Sequence, residues 1–111
     1  MKPEISYHTF SQLDLRVATV LSAREHPNAG KLLLLKIQVG DEEKQIVAGI
    51  RGHYEPEALV GTQIVVVNNL EEMILRGEES QGMLLAAGDG DGDKVVLLRP
   101  DSPCAPGTAI K

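Results

Sequence analysis

Arg16, Lys31, Lys36, Arg51 and Arg76, together with Asn28, Asn68, Ser80 and Gln81, are the side chains here with the chemistry to hold a ligand. Guanidinium and ammonium groups pair with phosphate, while amides and a hydroxyl hydrogen-bond phosphate and sugar oxygens. Their spacing alone describes no more than scattered surface charge. A clearer signal is the corner Ser80-Gln81-Gly82-Met83, which follows the apolar run Val65-Val66-Val67 and the pair Asn68-Asn69 and leads into Leu84-Leu85. A polar, glycine-bearing set between apolar strands marks a loop placed for binding on a rigid β scaffold.

Other chemistries find less support. The run Asp89-Gly90-Asp91-Gly92-Asp93 is rich in carboxylates, but an EF-hand loop counted from Asp89 needs Gly and Glu where Lys94 and Pro100 stand. It is expected to be a solvated hairpin loop without metal. His8, His26 and His53 have no zinc-like spacing. Cys104 lies between prolines and suits a plain surface thiol. Ser80 has no histidine near it in sequence, and the acid pairs Glu42-Glu43, Glu71-Glu72 and Glu78-Glu79 suit solvated loops. No nucleophile, base and oxyanion site come together, so no catalysis and no cofactor are expected.

Charge and composition narrow the partner. The 111 residues carry 11 Lys and Arg against 16 Asp and Glu, a net charge of -5. Polyanion binding needs a basic footprint, so any nucleic-acid contact must rest on a local patch. The rings are Tyr7, Phe10 and Tyr54, none in an expected strand, and a base-stacking platform is therefore not expected. RNA would be held as a folded shape, through phosphates and hydroxyls. The length suits one domain, residues 1–111. No apolar run reaches the ~20 residues of a membrane span. The opening Met1-Lys2-Pro3-Glu4 lacks a signal-peptide apolar region, and one cysteine suits a reducing compartment, so a cytoplasmic protein is expected.

The elements that must position these residues are mostly strands. Ser6 caps a short helical turn over residues 7–12, with Ile5 and Phe10 as a hydrophobic staple. Leu13, Leu15 and Val17 alternate with polar residues, and the phase shifts near Val20-Leu21, predicting a bulged strand. A loop over residues 26–30 precedes a strand over 31–39, a hairpin turn over 40–43 and a strand over 44–50. Pro56 and Gly61 bracket a short helix. Strands over 64–67, 83–87 and 95–98 complete the set. This order predicts an all-β OB-fold: a five-stranded Greek-key barrel, one short helix between strands three and four, and a C-terminal extension. An SH3-like barrel is the competitor, and the helix favours the OB-fold.

Six ordered blocks then carry a resemblance: Asp14-Leu15-Arg16-Val17, residues 26–32 (HPNAGKL), 46–50 (IVAGI), 56–61 (PEALVG), Asn69-Leu70 and Ser80-Gln81-Gly82-Met83. They resemble the tRNA-binding domain found at the C-terminus of bacterial methionyl-tRNA synthetase, in free-standing tRNA-binding proteins and in endothelial monocyte-activating polypeptide. The resemblance spans about Phe10 to the end. It implies an OB-fold that binds tRNA by shape, and a homodimer whose contact lies outside the core barrel. A synthetase catalytic domain would be a partner in cis or in trans. By motif position it implies an RNA-binding set of Arg16, Asn28, Lys31, Asn68, Arg76, Ser80, Gln81 and Met83. One departure stands out. Where the family commonly has Asn-Leu-Lys-Pro-Arg-Lys, this chain has Asn69-Leu70-Glu71-Glu72-Met73-Ile74, so weaker RNA binding is expected. A related branch, an export-associated chaperone with a similar C-terminal ending, implies a protein-interaction module with weak tRNA binding as the alternative.

Overall fold

The computed structural model describes residues 1–88 and 94–111. The Asp89–93 run, with the loop and metal readings made of it, lies outside the described residues. The first helix, α1 (Tyr7–Ser11), is capped by Ser6, whose side chain accepts from the Thr9 N–H at 3.1 Å, and it buries no residue. The long strand β1 (Leu15–Glu25) is central: it pairs with β2 (Leu33–Val39) on one side and β4 (Gln63–Val67) on the other. Its register against β2 slips between Val20 and Ser22, where the alternation changes phase. That bulge lets one strand bend through two halves of a curled sheet.

β3 (Glu42–Ala48) pairs with β2 across the turn at Gly40, which adopts φ 62. α2 (Pro56–Leu59) follows, starting on Pro56 and closed by Gly61 at φ 85. The main sheet runs β3-β2-β1-β4-β7, where β7 is Met83–Leu84. Ala18, Val20, Leu33, Leu35, Ile37, Ile46, Ile64 and Val66 fill its concave side. This is a small all-β barrel of the OB type.

The two outer strands close the barrel through residues 80–82 rather than a full ladder. On the open edge of β3, the Gln45 carbonyl accepts from the Gln81 N–H at 2.8 Å, and the Gln45 N–H donates to Gln81 Oε1 at 3.1 Å. Two residues on, the Val47 N–H donates to Ser80 Oγ at 2.9 Å. Gly82 then crosses under β4 with φ 140, where a Cβ would stand 2.9 Å from the Val67 carbonyl oxygen. Only glycine passes there without displacing backbone.

Two expectations need correction. The fourth loop is itself a hairpin, β5 (Met73–Leu75) with β6 (Glu78–Ser80), turning at Arg76 and Gly77. The single strand expected over 83–87 is divided. Leu85 donates its N–H to Val65 but accepts from the Leu98 N–H. The chain thereby passes from β7 to β8 (Ala86–Gly88), which pairs with β9 (Val95–Leu97) in a separate two-stranded sheet. The C-terminal extension is tied to the barrel, since β10 (Ala109–Ile110) pairs with β1 and the Cys104 backbone is clamped by the Gln63 side chain. No helix among the described residues is long and apolar enough to cross a membrane.

Candidate nucleic-acid interface

The eight residues expected to contact RNA fall in three places. Arg16 and Asn68 meet at one mouth of the barrel. Arg16 Nε donates to Asp14 Oδ1 at 2.6 Å and its Nη1 to the Gly107 carbonyl at 3.0 Å. Asn68 Nδ2 donates to Asp14 Oδ2 at 3.1 Å, and Asn68 Oδ1 accepts from Lys44 Nζ at 2.8 Å. The Asn68 bond and then the Arg16 guanidinium hold the Asp14 carboxyl below its ordinary range. Arg16 and Lys44 thus reach this mouth with part of their charge already met by Asp14. A shallow cleft of about 280 Å³ opens between Arg16, Asn68, Glu42 and Gly107.

Ser80, Gln81 and Met83 form the seam. Ser80 is 4% exposed, and its hydroxyl accepts from Val47 while donating to the Gly82 carbonyl at 2.9 Å. The hydroxyl expected to bond RNA therefore has its proton committed inside the protein. Gln81 is similarly turned to the β3 edge. Met83, 47% exposed, keeps a free apolar surface beside them.

Asn28, Lys31 and Arg76 come to the third place, where the first loop meets the tip of the β5–β6 hairpin. Sequence reasoning missed the residue that joins them. Buried His26 hydrogen-bonds the Asn28 N–H through Nδ1 and the Leu75 carbonyl through Nε2, each at 2.9 Å. One imidazole ring therefore sets Arg76, next to Leu75, close to Asn28. Its signal in the sequence was the His-Pro-Asn loop, weighed only as a metal ligand. Arg51 supports the same loop, donating to the carbonyls of His26 and Ala29 and pairing with Glu25 at 3.1 Å. Its guanidinium is engaged in the loop's scaffold.

Between these loops lies the convex side of β1, β2 and β3. Ser22, Lys36 and Gln45 stand in register across the three strands, and the next row is Arg24, Leu34 and Val47. Leu34 and Val47 are buried although they lie outside the main core cluster, and the hairpin reaches this row through Ser80. Arg24 pairs loosely with Glu78 at 3.9 Å, and Gln45 Nε2 donates to the Glu79 carbonyl. Lys31, Lys36 and Arg76 are exposed and take part in no ion pair among the described residues. No aromatic ring lies on these strands. Acid flanks the patch: Glu72 beside Glu79 raises the Glu79 carboxyl above its ordinary value, through a hydrogen bond and then like-charge repulsion. Among the described residues no group of three or more His, Cys, Asp or Glu is arranged to hold a metal ion.

Comparison with known proteins gives a consistent picture. Residues 15–109 match the tRNA binding domain family. The methionine–tRNA ligase of Thermococcus kodakarensis is 47% identical over 107 residues, covering 96% of this chain and 14% of the ligase. That of Chlorobium limicola is 55% identical over 96 residues, covering 86% of this chain and again 14% of the ligase. This chain therefore spans only a small part of the length of those relatives. Solved structures also match over nearly the whole chain. A MetRS-related protein from Pyrococcus horikoshii superposes with TM-score 0.91 at 32% identity, over 99% of this chain and 100% of that one. The chaperone CsaA from Bacillus anthracis strain Ames superposes with TM-score 0.89 at 36% identity, over 98% and 100%.

Proposed function

Because the chain belongs to the tRNA binding domain family, we propose that it binds folded tRNA by shape and without catalysis, as a homodimer in the cytoplasm. It serves either as the C-terminal domain of a methionine–tRNA ligase or as a free-standing tRNA-binding protein. The observation that carries this reading is the meeting of the first loop and the hairpin tip, which bring Lys31 and Arg76, beside a convex β face that offers Lys36 and no ring. Cations without aromatics suit phosphates held at fixed spacing, and do not suit unstacked bases. Arg16 and Asn68, at the mouth beside the β2–β3 turn, and Met83 serve as secondary contacts; Ser80 and Gln81 act through the seam.

The glutamates of the fourth loop set the strength. With Glu71, Glu72 and Glu79 exposed beside it, the patch releases few counterions and binds weakly at cellular salt. Affinity for tRNA is best measured across a salt series. Lys31→Ala and Lys36→Ala should each weaken binding several-fold and reduce the salt slope by about one. Replacing Glu71 and Glu72 together by Lys should strengthen binding and steepen the slope. An absence of binding at low salt, or lysine variants that leave both affinity and slope unchanged, would defeat the reading.

The alternative is a protein-interaction module of the export-chaperone kind. It draws on exposed Met73, Ile74 and Met83 beside the same acidic loop, and on the likeness to chaperone CsaA. The third-strand motif over residues 46–50 is of the synthetase type and favours tRNA. Peptide capture indifferent to competing tRNA would support the alternative, whereas full competition would count against a separate peptide site.

A further inference from the structure

His26 is 2% exposed, and its ring has two partners, one within its own loop and one, Leu75, 49 residues away. Asn28 offers it a backbone N–H, so Nδ1 must be the unprotonated, accepting nitrogen. Nε2 then carries the proton and donates it to the Leu75 carbonyl. Only the neutral Nε2–H tautomer satisfies both partners. A proton added at Nδ1 would stand against the Asn28 N–H, donor facing donor, inside a site closed to water.

We infer that neutral His26 is a positioning residue for the tRNA surface, latching the Arg76 hairpin tip to the first loop, and that protonating its ring releases the latch and weakens tRNA binding. The inference rests on the tRNA reading given above. Beyond the latch, the polar ties from the hairpin to the barrel among the described residues lie on its second strand: Arg24 with Glu78, Gln45 with Glu78 and the Glu79 carbonyl, and Ser80 with Val47. None of these holds the first strand, Met73–Leu75, which leads into the turn at Arg76. Losing the histidine bond therefore leaves the strand that leads into Arg76 tied to the barrel only through its partner strand.

The sign of the pH response separates this from ordinary electrostatics. The charged groups around the latch are Arg51 with Glu25, Arg24 with Glu78, Arg76, Lys31, and the Glu72 and Glu79 pair on the hairpin. Protonating Glu79 makes the surface more positive and strengthens phosphate binding. Protonating His26 also adds positive charge, yet the latch requires affinity to fall.

The test measures tRNA affinity between about pH 8 and 5.5 at fixed ionic strength, in the range where imidazole side chains change charge. Imidazole nitrogen-15 shifts and amide exchange over residues 73–80 are followed in parallel. In the intact chain, affinity should drop about fivefold or more on acidification, the lower end of ordinary coupling between linked equilibria. Hairpin exchange should accelerate in step with titration of the His26 ring. His26→Gln keeps a donor for Leu75 and does not titrate; its affinity should stay level or rise. His26→Asn keeps an acceptor for Asn28 but does not reach Leu75, and should bind weakly at every pH. Affinity that rises with acid in the intact chain, a parallel fall in His26→Gln, or a ring that stays neutral throughout would each refute the latch. If tRNA does not bind at pH 8, the tRNA reading fails by itself. Exchange that tracks the ring would then still support the latch, and exchange that ignores it would still refute it.

Discussion

Arg76 holds a backbone conformation that its side chain disfavours. Its φ of 53 is left-handed, and Gly77 beside it has φ 88. Two positive φ values in a two-residue loop describe the tight hairpin turn in which Asn-Gly is the preferred pair. An ordinary side chain pays about 1–2 kcal/mol in that region, and asparagine less. Strain held at an exposed tip suggests that the guanidinium is wanted there for another purpose. Arg76→Asn should accordingly raise stability by up to about 1 kcal/mol while lowering tRNA affinity and flattening its salt dependence. Thermal melting and a binding titration on one preparation check both halves. A variant that gains stability and loses no affinity would make Arg76 an accident of the turn.

At the scale of elements, the polar corner that stood out in the sequence is the seam of the barrel. Ser80→Ala would leave the Val47 N–H buried without an acceptor, at a cost of about 1–3 kcal/mol. Urea unfolding should show that loss, and tRNA affinity measured where the variant is folded should fall little. A large loss of affinity with stability intact would instead return Ser80 to the ligand. Much of the rest was legible. Alternation gave the strands around Val17 and Leu35, the turn at residues 40–43 gave the strand around Ile46, the phase change at Val20 gave the bulge, and Pro56 with Gly61 gave the short helix. What escaped has a common physical cause. The bonds from Ser80 and Gln81 to Val47 and Gln45 join residues more than thirty apart, and the His26 bond to Leu75 spans 49. Local periodicity carries no trace of such pairs. The hairpin escaped because its strands are three residues each and its turn is Arg-Gly rather than Asn-Gly.

For the whole molecule, the open question is how a chain of net charge -5 holds a polyanion. Among the described residues, one copy offers three exposed cations without an ion pair at the proposed surface, too few for strong binding at cellular salt. Two copies joined rigidly would make the second contact intramolecular and multiply the affinity without adding a residue. An apolar surface available for such a union is α1 with the residues before it: none of its residues is buried in the single chain, Ile5 is 66% and Tyr7 78% exposed, and Phe10 lies 6.2 Å from the Tyr7 ring. Apolar side chains exposed together in this way suit an interface. Deleting the C-terminal extension would not test this cleanly, because β10 and Cys104 are tied to the barrel and Leu97 belongs to its core. Tyr7→Glu with Phe10→Glu is the better variant, since neither side chain is buried in the barrel. Sedimentation should show a dimer for the intact chain and a monomer for the variant, with melting little changed. The affinity of the monomer for tRNA should then fall by about a hundredfold, the lower range expected when a linked second contact is lost. An intact chain that sediments as a monomer would exclude the dimer, and an unchanged affinity in the variant would mean that one convex face suffices.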